Sequence, residues 1–70
     1  MRISYDPSVD ALYIRFIEGK VECEMLQLNE RITVNIGPEE QVVGIGILDA
    51  SEILPDLKLR KIHLENLIPV

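Results

Sequence analysis

Val42-Val43-Gly44-Ile45-Gly46-Ile47-Leu48-Asp49-Ala50-Ser51 is the longest apolar run of the chain, and no charge falls in it before Asp49. A short apolar run rich in β-branched residues and closed by a carboxylate and a hydroxyl reads as a central β-strand that delivers a turn or helix start. Val43, Ile45 and Ile47 take one face of it, and Val42, Gly44, Gly46 and Leu48 the other. Gly44 and Gly46 leave a slot without side chains, which a large ring or another backbone must fill. Tyr5, Tyr13 and Phe16 are the rings available to lie across it, and a second copy is the other candidate. Asp49 or Ser51 is expected to cap a short helical turn through Leu54, ended by Pro55.

Outward from that strand, Ile32, Val34 and Ile36 alternate with Arg31, Thr33 and Asn35, the pattern of a half-buried strand. Gly37-Pro38-Glu39-Glu40-Gln41 joins it to the central strand as a polar turn. Val21 to Leu28 reads as a further strand, with a change of phase near Met25 that predicts a bulge or a switch of buried face. Glu18-Gly19-Lys20 and Asn29-Glu30 are the turns on either side. Met1 to Tyr5 is a short strand stopped by Asp6-Pro7-Ser8. Val9 to Ile17 fits two periods. Val9, Leu12, Tyr13, Phe16 and Ile17 make a helical stripe, while Leu12, Ile14 and Phe16 alternate as in a strand, which the β-branched and aromatic content favours. In the tail, Lys58 to Leu64 reads as a strand, and Pro69 rules out a long terminal helix.

Seventy residues make one domain, residues 1–70. Folding a chain of this length removes ~7,200 Å² from water. If about 60% is apolar, that contributes roughly 107 kcal/mol, against roughly 105 kcal/mol for ordering the chain. So thin a margin calls for a supplement. Disulfides cannot supply it, because Cys23 is the only cysteine, and one Cys with one His does not make a structural zinc site. Self-association remains, and an apolar fraction of 47% points the same way. The expected state is a homo-oligomer, a dimer first.

A net charge of −5 leaves no basic stripe for a phosphate backbone, since Lys58, Arg60 and Lys61 are the densest basic group. Nucleic acid is therefore not an expected partner. The same charge suits an acidic accessory subunit, antitoxin-like, for a basic protein. The N-terminus is polar within four residues and no apolar run reaches a membrane span, so a soluble cytoplasmic protein with a reduced thiol is expected.

Little in the chain reads as chemistry. Gly44-Ile45-Gly46 lacks the third glycine of a dinucleotide fingerprint and lies inside the strand rather than after it, so no cofactor is expected. Asp6, Asp10 and Asp49 are the carboxylates expected nearest one another. Such a cluster could hold a cation or do acid–base work, but turn and cap duty is the simpler reading. His63 has no triad to join and reads as a surface residue. Cys23 sits among alternating apolar residues and reads as a buried structural thiol, while Glu22 and Glu24 oppose a nucleophilic thiolate. No catalytic or metal-binding residue is assigned. Tyr5 and Tyr13 are expected as core aromatics with hydrogen-bonded hydroxyls.

Tyr5-Asp6-Pro7, Asp10-Ala11-Leu12-Tyr13-Ile14 and Val43 to Ser51 together resemble the domain-of-unknown-function 2283 family of small prokaryotic proteins. The resemblance covers roughly residues 3 to 51. It implies a compact β-rich domain, a strand rather than a helix at Ala11 to Ile17, and no known activity. Where this chain has Gly46 the family usually carries a glutamate, and its turn before the central strand is usually aspartate-rich. Both departures weigh against a metal or catalytic site here. The fold expected is mainly β (α+β), an antiparallel meander of five or six strands with one short helical turn after the central strand. The function expected is that of a small, acidic, non-enzymatic interaction module. A carboxylate-based metal-dependent enzyme is the weakest alternative.

Overall fold

The computed structural model describes residues 1–55. The strand expected at Lys58 to Leu64, His63 and the rest of the tail lie outside the described residues.

Five antiparallel strands form one open sheet: β1 (Arg2–Asp6), β2 (Ala11–Arg15), β3 (Glu24–Gln27), β4 (Ile32–Ile36) and β5 (Val42–Ile47). Their order is β1-β2-β5-β4-β3. Two hairpin runs, β1–β2 and β3–β4–β5, are thus joined along β2 and β5, and the meander is broken once, between β2 and β3. The apolar run is the middle strand. It is followed by a single short helix, α1 (Ala50–Ile53), and preceded by a 3-10 turn at Pro38–Glu40. Ala11–Arg15 is a strand and not a helix, because its two β-branched and aromatic neighbours in register, on β1 and β5, bury the alternating residues.

The register assigns every strand residue to a face. Ile3, Ile14, Ile45, Val34 and Leu26 stand side by side across all five strands. Tyr5, Leu12, Ile47 and Ile32 form the next row of the same face. The opposite face carries Arg2, Arg15, Gly44, Asn35 and Met25 in one row, and Ser4, Tyr13, Gly46, Thr33 and Gln27 in the next. One face is therefore almost wholly apolar and the other mixed.

Helix α1 covers one end of the apolar face. Leu12 (4% exposed) and Ala50 (0%) are its centre, with Tyr5, Ile14 and Ile47 packed round them. Val43 is buried as well, beside Val21, where Gly37 lets the backbone come close. Among the described residues nothing covers the far end of the sheet, at β3, where Met25, Leu26 and Leu28 are all exposed.

Three expectations are corrected. The bulge lies in β5, opposite Asn35 and Ile36, and not in the strand near Met25. That third strand is short, starting at Glu24 rather than Val21. Cys23 consequently sits ahead of it and is exposed, its thiol bonded to the Val21 carbonyl at 3.2 Å. Alternation of apolar residues around Cys23 suggested burial, but an edge segment without a covering layer has no interior to offer.

Candidate functional site

The carboxylates singled out by the sequence, Asp6, Asp10 and Asp49, each hold partners of their own. Asp10 ends the β1–β2 turn in the left-handed region, φ 52°, which Asp tolerates better than most residues. Its Oδ1 accepts the Tyr5 hydroxyl at 2.6 Å and the Ser51 amide at 3.0 Å. Its Oδ2 accepts the Ser51 hydroxyl at 2.7 Å, and its backbone carbonyl accepts the Ala50 amide at 3.0 Å. Asp10 is therefore the cap of α1, supplied from 41 residues away. Asp49 occupies the N-cap position in the left-handed region, yet its side chain makes no capping bond. The expectation that Asp49 or Ser51 caps the turn is corrected accordingly: Ser51 is the recipient of the cap.

Asp49 instead points to Arg31, which lies 3.7 Å from it and 3.0 Å from Glu52. Both bridges are exposed and contribute little to stability. Asp6 turns back on its own loop, accepting the Ser8 hydroxyl at 2.6 Å and the Ser8 amide at 3.0 Å. The Ser8 hydroxyl first, then the Ser8 amide, hold the Asp6 carboxyl below its ordinary value of 3.8. The hydrogen bond to Asp10 pushes the Tyr5 phenol above its ordinary value of 10.0, with burial and the charges of Asp10 and Asp6 adding to it. Each of the three aspartates thus has its own partners. Among the described residues, no group of three or more His, Cys, Asp or Glu is placed to hold a metal ion.

The glycine slot is already filled. Tyr13 lies across it on the mixed face, so close that a Cβ on Gly44 would stand 2.6 Å from the ring carbon Cζ and 2.8 Å from the Ile14 carbonyl oxygen. The Tyr13 hydroxyl accepts the Asn35 side-chain amide at 2.8 Å. Gly46 has room to spare, its nearest neighbour being the Tyr13 ring at 3.6 Å. The slot therefore offers no seat to a second copy, and any argument for self-association must stand on another surface. Asn35 went unnoticed in the sequence. Only the pairing of Asn35 with Gly44 reveals that the amide faces the phenol.

A hollow remains, rimmed by Glu22, Glu24, Glu39 and Glu40, with Cys23, Ile36, Gly37 and Pro38 between them.

The interlocking of Tyr5, Asp10, Tyr13, Gly44 and Ser51 spans nearly the whole described chain. A family model described as a protein of unknown function, DUF2283, matches residues 2–51. The chain belongs to the DUF2283 family. The matched span of DUF2283 begins with β1 and ends on Ser51, the last residue of the Asp10 junction. Of the residues that carry the resemblance, Tyr5, Asp10 and Ser51 close the sheet onto its helix, and Tyr13 covers Gly44 on the opposite face. No curated protein and no solved structure matches the chain. Among the described residues no helix is long and apolar enough to cross a membrane.

Proposed function

We propose that this chain is a small, non-enzymatic interaction module that works as a homo-oligomer, a dimer first. The observation that carries the reading is the β3 end of the sheet, where Met25 (78% exposed) and Leu26 (50%) stand on the two faces of one strand. Natural edge strands are blunted by shortness, charge, proline, a bulge or a covering element; Glu24–Gln27 is short and carries Glu24, but has no lysine, proline or bulge. Among the described residues nothing covers Met25 and Leu26, and exposed apolar side chains on a chain with so thin a stability margin favour association. Sedimentation at micromolar concentration should give the mass of a dimer. Lysine at both Met25 and Leu26 should give a folded monomer, because both side chains are at least half exposed. A wild-type monomer across the micromolar range overturns the reading.

The second reading is an acidic, antitoxin-like accessory to a basic protein. The hollow rimmed by Glu22, Glu24, Glu39 and Glu40 supports that reading. A carboxylate-based enzyme has the least support, since Asp6, Asp10 and Asp49 are each committed to separate partners.

A further inference from the structure

We draw no further inference here: the strongest candidate, the exposed apolar patch of Met25, Leu26 and Leu28 at the β3 end of the sheet, carries nothing, because nothing in the structure shows what covers it.

Discussion

Gly44 and Gly46 stand two residues apart on one face and tolerate very different changes. A methyl group at Gly44 would meet the Tyr13 ring and the backbone oxygen of Ile14, which cannot both withdraw. Gly44→Ala should cost about 2 kcal/mol or more in urea unfolding, and Tyr13→Ala in the same chain should restore only part of it. Gly46→Ala should be neutral or stabilise by up to about 1 kcal/mol, since the site is open and glycine weakens a strand. The ionisable residues supply a second expectation. Asp6 is held below 3.8 in the folded state, so its contribution is complete above that value and lost as pH falls through the lowered one. Tyr5 is held above 10.0, so its contribution is complete below 10 and lost as pH rises through the raised value. Thermal midpoints measured against pH should therefore fall at both ends. Ser8→Ala should flatten the acid limb and leave the alkaline limb unchanged, and Tyr5→Phe should flatten the alkaline limb. That Tyr13 covers the glycines was within reach of the sequence, because two glycines on a strand face need a ring. Which of three rings it was depended on register, and single residues do not encode register.

Helix α1 shows why an element can be legible in place and illegible in cause. Asp49-Ala50-Ser51 before Leu54 and Pro55 marks a short helical turn, and the turn is there. Its cap comes from the other end of the chain. Asp10→Ala removes the bonds to the Ser51 amide, the Ser51 hydroxyl and the Tyr5 hydroxyl, and leaves alanine in a left-handed conformation. The cost should be about 2–4 kcal/mol in chemical denaturation, and Asp10→Asn should lose less, because asparagine tolerates that conformation and keeps one acceptor. Equal losses for the two would show that the capping geometry is not what Asp10 supplies. The strands followed their alternation closely at β4 and β5. β3 did not: Val21 to Cys23 have the composition of a strand, but no neighbour extends far enough to pair with them, and composition cannot report a missing neighbour.

At the scale of the molecule, the sequence revealed that β5 is central, because it carries the longest apolar run of the chain. It did not reveal that β2 would pair with β5 rather than with β3. Turn residues specify hairpins between adjacent strands, whereas the β2–β5 pairing closes a long loop and depends on how the two hairpin runs fit. The exposure at the β3 end is likewise a property of the assembled sheet, visible only once α1 is seen to cover the other end. The two functional readings separate here by salt. An association built on Met25 and Leu26 should keep its sedimenting mass between ~0.1 M and ~1 M salt, while contacts made by exposed glutamates should be screened away.

The bond between Asp10 and Ser51 also orders events in time. Four residues cannot sustain a helix in water, so α1 has nothing to form upon until β2 has met β5. The first hairpin leaves the ribosome early and must wait for most of the described chain before its aspartate finds a use. Helix formation is accordingly the closing step of folding, and wherever those two strands separate, the helix dissolves with them.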